Sequence, residues 1–174
     1  GAESGAAISK HPDLDRISFT GSVPTGQAIA AAAHANLVPV TLELGGKSPN
    51  IIFEDADLGR AITGALIGVF SAGGQTCISG SRLLVQRGVY DHVVEELAHR
   101  AARIRLGDPT QPRTQMGPVA NRPQFDRITS IIKAGQAAGA RMVAGAEPIE
   151  TSELANGLFV QPTVFADVDN DSQL

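Results

Sequence analysis

One cysteine, one tyrosine and no tryptophan occur in the 174 residues. A single cysteine closes no internal disulfide, so a reducing compartment, the cytoplasm, is the expected home. Aromatic side chains for base stacking are scarce, with six phenylalanines, and the formal net charge is −4 with acids and bases interspersed. No basic stripe is present, so nucleic acid is not an expected partner. The longest apolar stretch, Ala61 to Ala72, is interrupted by Thr63 and Ser71 and is too short to span a bilayer, so no membrane partner is expected. The start, Gly1-Ala2-Glu3-Ser4-Gly5, lacks the basic and apolar regions of a signal peptide. It also lacks a methionine, and the end, Asp169 to Leu174, reads like an internal loop; both ends are expected to be cuts through a longer chain. The four histidines are scattered. His11 precedes a proline, His34 lies in an alanine-rich run, and His92 and His99 share one predicted helix without a third ligand, so no metal site is expected.

What is there is a globular composition: 43% hydrophobic, 18% charged and 19 glycines, enough for one domain or for parts of two. Short β-like runs alternate with helical runs, which predicts an α/β architecture with parallel strands. Ile17–Thr20, Val38–Leu44, Asn50–Phe53, a buried Arg82–Gln86, Arg141–Ala144, Leu158–Val160 and Thr163–Phe165 are the predicted strands. Helices are predicted over Thr25–Asn36, Leu58 to about Ser71, Tyr90–Leu106 and Gln124–Ala138. Asp57 is the expected N-cap of the second, and Gly107 and Gly139 are the expected stops of the last two. Ile17 to Leu44 reads as one strand–helix–strand unit. Gly64 and Gly68, four apart on a helix, predict a close neighbour. Four prolines between Asp108 and Pro123 predict an irregular loop, and Gly145 to Gly157 is a predicted polar loop.

Two positions carry candidate chemistry. Cys77 lies in Gly73-Gly74-Gln75-Thr76-Cys77-Ile78-Ser79-Gly80-Ser81-Arg82, among small residues that leave a substrate room to reach the sulfur. A lone cysteine reads first as a buried small hydrophobe, and as a reactive thiolate only where the rest of the chain supports it. Glu43 ends a predicted strand beside Gly45-Gly46, where ligands bind in open α/β sheets; it reads also as a solvated turn residue. Gly21 and Ser22 form a strand-to-helix turn that is either ordinary or suited to phosphate.

Three blocks in order, Phe19-Thr20-Gly21-Ser22, Leu42-Glu43-Leu44-Gly45-Gly46-Lys47-Ser48-Pro49, and Gly74-Gln75-Thr76-Cys77 with Gly80-Ser81-Arg82, resemble the aldehyde dehydrogenase superfamily. Cys77 follows Glu43 by 34 residues, as in that family. Gly107-Asp108-Pro109, Gly117-Pro118 and Pro162-Thr163-Val164-Phe165 are similar to further family motifs. The resemblance implies a three-layer αβα catalytic domain with a mostly parallel sheet over residues 44–174, truncated at its C-terminus. Residues 1–43 are then the last strand–helix–strand of a Rossmann-like NAD(P)-binding domain.

By the same resemblance Cys77 is the nucleophile, its backbone N–H an oxyanion donor, and Glu43 the base that activates water. Gly21, Ser22, Leu44 and Gly45 lie at the NAD or NADP site, and the parent is a homodimer or homotetramer acting on a small aldehyde. Lys47 and Arg82 read as structural. One departure stands out: the family's asparagine five residues before the nucleophile is Ala72 here. The family's other oxyanion donor, its ribose-binding lysine and glutamate and its oligomerisation strands lie outside these residues, so the 174 residues alone are expected to be inactive. Acylating members that pass the thioester to coenzyme A commonly lack the base, so Glu43 favours hydrolysis. Intact Glu43 and Cys77 argue against a non-catalytic scaffold, and the absence of a histidine in the cysteine loop argues against a thiol hydrolase.

Overall fold

In a computed structural model, residues 1–145, 149, 152–172 and 174 are described. They divide into two compact units, Gly1–Lys47 and Ser48–Leu174.

The first unit contains α1 (Ala2–Ser9), β1 (Ile17–Gly21), α2 (Val23–His34) and β2 (Val40–Leu44). The strands run parallel, in register from Ile17 with Val40 to Gly21 with Leu44, and α2 is the crossover between them. The helix starts two residues before the predicted Thr25, because Ser22 supplies an N-cap (its hydroxyl accepts from the Thr25 N–H) and a proline is tolerated in the first turn. Along β2 exposure alternates, so Leu42 and Leu44 are half-buried while Thr41 and Glu43 are exposed. Leu42 and Leu44 lie under α2 at Gly26, where an added Cβ would stand 2.8 Å from a Leu44 methyl. That glycine lets helix and strand approach closely. No apolar stripe announces α1.

The second unit contains β3 (Pro49–Ile52), α3 (Leu58–Phe70), β4 (Arg82–Val85), α4 (Tyr90–Ala101), α5 (Arg122–Ala137), β5 (Arg141–Ala144), α6 (Ser152–Ala155) and β6 (Val164–Ala166). β3 and β4 pair in parallel, Pro49 opposite Arg82 to Ile52 opposite Val85; β5 and β6 pair antiparallel with a register shift between Met142 and Ala144. The α/β class with predominantly parallel pairing therefore holds. The core is Ile52, Ile62, Ala65, Val93 and Leu97, with Leu58, Leu66, Leu83, Val85 and Val164 packed against it. Asp57 caps α3 as the sequence predicts, accepting from the Arg60 N–H at 3.1 Å. No helix among the described residues is long and apolar enough to cross a membrane.

Several expectations change. α4 stops at Ala101 rather than Leu106, because the chain beyond it turns to bond elsewhere: Gln115 and Met116 N–H groups both donate to the Arg105 carbonyl, and Gly107 N–H donates to Met116. Gly107 is thus not a helix cap; its missing side chain makes room for Thr114, whose hydroxyl would lie 2.7 Å from an added Cβ. β4 is not buried but alternates, with Leu84 48% exposed. No described atom outside the helix lies within 4 Å of an added Cβ at Gly64 or Gly68; the Gly68 carbonyl accepts from Gly80 N–H at 3.3 Å. Pro123 belongs to α5, whose first turn it opens behind the Asn121 cap. Leu158–Val160 forms no strand; the Leu158 carbonyl accepts from Val119 N–H instead. A short helix, α6, interrupts the predicted 145–157 loop, of which residues 146–148, 150 and 151 lie outside the described residues.

One polar staple joins α4, β5 and the end of β6. Asp167 sits in the left-handed region at φ 55°, a conformation that Asp tolerates better than most residues. Tyr90 Oη donates to its carboxylate at 2.8 Å and accepts from its N–H at 2.9 Å, and Arg141 Nε lies 2.7 Å from the other oxygen. The Tyr90 hydroxyl, and next the Arg141 guanidinium, hold the Asp167 carboxyl below its ordinary range. Partial burial, followed by the Asp167 hydrogen bond, raises the Tyr90 phenol. A depressed carboxyl adds stability above the ordinary carboxylate pKa and loses it as pH falls through the lowered value. Tyr90→Phe therefore lowers the melting temperature at neutral pH, and its deficit shrinks as pH falls below about 4. Thermal denaturation across pH checks this, and a deficit independent of pH removes the ionised staple from the explanation.

Candidate functional site

Five of the six candidate residues collect at one end of the first unit, where β1 and β2 finish. Register pairs Thr20 with Glu43 and Gly21 with Leu44, and Ser22 and Gly45 follow directly. Strand alternation sends Leu44 toward α2, so Glu43 faces the opposite side, where it is exposed. Gly45 has no neighbour within 4 Å of an added Cβ, so the backbone there is open to close approach. At Gly21 a Cβ would meet the tip of the Phe19 ring at 2.5 Å, so that ring covers one side of the glycine.

The Ser22 hydroxyl is engaged in its cap, 3.4 Å from Thr25 N and 2.9 Å from the Thr25 hydroxyl. What the start of α2 offers a ligand is the backbone N–H of Val23 and the positive end of a 12-residue helix; Pro24 contributes no donor. Such a donor set at the end of a strand–helix–strand unit suits a phosphate group.

Cys77 belongs to the second unit. Helix α3 ends at Phe70, and the chain then passes through three left-handed residues in succession, Ala72 (φ 52°), Gly73 (φ 62°) and Gly74 (φ 73°). Gln75 follows, and then a turn from Thr76 to Ser79 closed by Ser79 N–H donating to the Thr76 carbonyl at 3.1 Å. Cys77 and Ile78 are the two central residues of that turn. The thiol is free and exposed, Ile78 is 76% exposed, and the Cys77 N–H is not consumed by the bond that closes the turn. This is not the environment of a packed structural cysteine. Beyond the turn, Gly80 N–H donates to the Gly68 carbonyl at 3.3 Å and returns the chain to α3; a Cβ at Gly80 would stand 3.1 Å from Asn50 Cβ. Ser79, only 8% exposed, buries a hydroxyl with no hydrogen-bond partner among the described residues.

Two residues of this loop carry more than their place in a motif suggests. Ala72 adopts a left-handed backbone conformation that asparagine tolerates better than alanine, which gives the departure noted in the sequence a physical meaning. Gln75 bonds on both sides of its amide: Nε2 donates to the Ala72 carbonyl at 3.2 Å and Oε1 accepts from the Ala120 N–H at 3.0 Å. A polar side chain between a glycine pair and the turn was the available signal; its distant partner was not readable locally. A separate apolar cavity of about 770 Å³ in the second unit is lined by Leu66, Val69, Leu84, Ile131 and Val164 and reaches Gly74 and Gly80, but not Cys77. Among the described residues, no group of three or more His, Cys, Asp or Glu is placed to hold a metal.

The sequence pattern of the aldehyde dehydrogenase family matches residues 1–174. An aldehyde dehydrogenase of Aspergillus niger is 48% identical over 175 residues, covering 100% of this chain and 34% of that protein. A betaine aldehyde dehydrogenase of Sinorhizobium fredii is 47% identical over 167 residues, covering 96% and 34%. Among solved structures, the NAD+ complex of an aldehyde dehydrogenase from Bacillus cereus superposes with a TM-score of 0.92 at 44% identity, over 99% of this chain and 34% of that one. The chain thus spans about a third of the length of the relatives it matches.

Because Ala72 is strained at φ 52°, Ala72→Asn raises stability by about 0.5–1 kcal/mol, whereas Ala72→Val lowers it by about 1–2 kcal/mol. Urea denaturation of the two variants checks the order; a valine variant as stable as the asparagine variant refutes the strained bend.

Proposed function

The chain belongs to the aldehyde dehydrogenase family, and we propose that its parent protein oxidises an aldehyde to a carboxylic acid with NAD+ or NADP+. The observation that carries this reading is the presentation of Cys77, free and exposed at the centre of a tight turn. In the first step Sγ adds to the aldehyde carbon as a thiolate. A C–S bond forms, the carbonyl π bond breaks, and the oxygen becomes an oxyanion that the Cys77 N–H stabilises. A dinucleotide held at the start of α2 would supply the acceptor for the hydride lost from that carbon, and the acyl group would then remain on Cys77 as a thioester. Glu43 then takes a proton from water, the hydroxide adds to the thioester carbon, and the C–S bond breaks to release the acid and the thiolate.

The start of α2 fits the phosphates of such a dinucleotide, with Gly21 and Ser22 at the turn and Leu44 and Gly45 at the strand end beside it. In this reading residues 1–43 close an NAD(P)-binding domain and residues 44–174 belong to the catalytic domain. The parent is a cytoplasmic homodimer or homotetramer, and the 174 residues by themselves are inactive. Transfer of the acyl group to coenzyme A is the second reading; a carboxylate at Glu43, exposed at the end of β2, favours water as the acceptor.

In the full-length parent, Cys77→Ser lowers aldehyde-dependent reduction of the cofactor by on the order of 10³-fold or more. Turnover near the wild-type rate sinks the assignment of the nucleophile. Glu43→Gln keeps the initial burst of reduced cofactor but slows the steady state by about 10²–10⁴-fold. Stopped-flow absorbance separates the two phases, and an unchanged steady state takes Glu43 out of deacylation.

A further inference from the structure

The turn that presents Cys77 is held from outside by one amide, and we infer that Gln75 is a positioning residue for the sulfur and for the Cys77 N–H. This inference rests on the reading of Cys77 as nucleophile. Gln75 stands two residues before Cys77, between the left-handed bend and the turn. The Ala72 carbonyl accepts two bonds from it, one from its backbone N–H at 3.2 Å and one from Nε2 at 3.2 Å. Its Oε1 accepts from the N–H of Ala120, 45 residues further along. Gly73 makes room for the amide, since a Cβ there would stand 3.0 Å from Nε2.

The far end of this link is itself anchored. Val119, 7% exposed, donates its N–H to the Leu158 carbonyl at 2.8 Å, and Asn121 caps α5 by accepting from Gln124 N–H at 2.9 Å. Ala120 between them is a fixed donor. On the other side of the turn, Gly80 is tied to α3 through the Gly68 carbonyl. Residues 76–79 are therefore suspended between two fixed points, and the plane of the peptide that carries the Cys77 N–H is set close to the Gln75 clamp.

The clamp needs a donor and an acceptor on one side chain of this length. Glutamine supplies both; glutamate keeps only the acceptor, and methionine keeps the approximate shape with neither. The bonds are exposed to solvent, where water competes and the stabilisation of the fold is modest. Geometry at the sulfur is the more sensitive quantity, because small misplacements of reacting atoms cost large factors in rate.

The test uses the full-length parent with propanal and NAD+ or NADP+, and in parallel iodoacetamide as a probe of the Cys77 thiol. Gln75→Met is expected to slow the burst of reduced cofactor by about 10- to 100-fold. The aldehyde KM stays within about threefold and the melting temperature within a few degrees, and the second-order alkylation rate of Cys77 changes by more than about threefold. Gln75→Asn, which keeps a neutral amide on a stem too short to span Ala72 and Ala120, slows the burst as Gln75→Met does. If Gln75→Met does not fold, Gln75→Asn decides: a slower burst at an unchanged melting temperature supports the clamp, and a wild-type burst overturns it. A wild-type burst in the folded variants overturns the positioning role, as does a loss of rate that merely follows a loss of melting temperature. A wild-type enzyme without Cys77-dependent oxidation overturns instead the functional reading beneath it. The alkylation rate then decides the clamp by itself, and an unchanged rate overturns it.

Discussion

The bend at Ala72-Gly73-Gly74 is the constraint on which the cysteine turn depends. Ser71 leaves the helix at ψ 143°, and three left-handed residues in succession carry the chain to Gln75 and the turn at Thr76–Ser79, with Cys77 at one of its two central positions. Two of the three are glycines, for which this conformation carries no steric penalty, and the third is an alanine, for which it does. α3 itself stops one residue before the bend, where Ser71 turns out of the helical region. Its N-terminus, by contrast, is fixed by Asp57, and its buried face by Ile62 and Ala65 in the core. The helix is anchored by packing at one end and by backbone geometry at the other.

In the first unit the corresponding constraint is the short parallel pair. Parallel strands joined by a helix place both strand ends on the same side, and register then brings Gly21 opposite Leu44. Glu43 owes its exposure to a period of two: Leu42 and Leu44 are the residues that α2 covers, so the residue between them faces away. One-residue displacement of β2 would bury the carboxylate under α2 and expose a leucine. Packing of apolar residues against Gly26 is therefore what orients the candidate base.

What could be read from the sequence follows from how local each cause is. The Ile17–Leu44 unit, the Asp57 cap and the strand at Arg141–Ala144 are encoded by nearby periodicity, capping chemistry and turn residues, and they form where those signals lie. The end of α4 is set by bonds between residues about ten apart, Arg105 with Gln115 and Met116, while Leu158 pairs with Val119 across a longer interval; periodicity carries no trace of either. At Gly68 the close approach is made through the backbone, by Gly80 N–H on its carbonyl, while no described side chain enters the space of a Cβ at Gly64 or Gly68. Likewise Cys77 and Glu43 were identifiable as candidates from the sequence, whereas the amide of Gln75 acquires its meaning only through Ala120.

The chemistry of the loop also explains why its supports are neutral. From Ser71 to Ser81 there is no charged residue. For the proposed nucleophile, a carboxylate fixed beside the sulfur would oppose a thiolate, and a lysine or arginine in the same place would pair with it. An amide adds no net charge, yet it supplies a donor and an acceptor in a fixed plane. Glycines at 73, 74 and 80 give close backbone approach without side-chain bulk around the thiol. In the proposed reading, backbone geometry and one primary amide set the position of Cys77 without adding a charge to the loop.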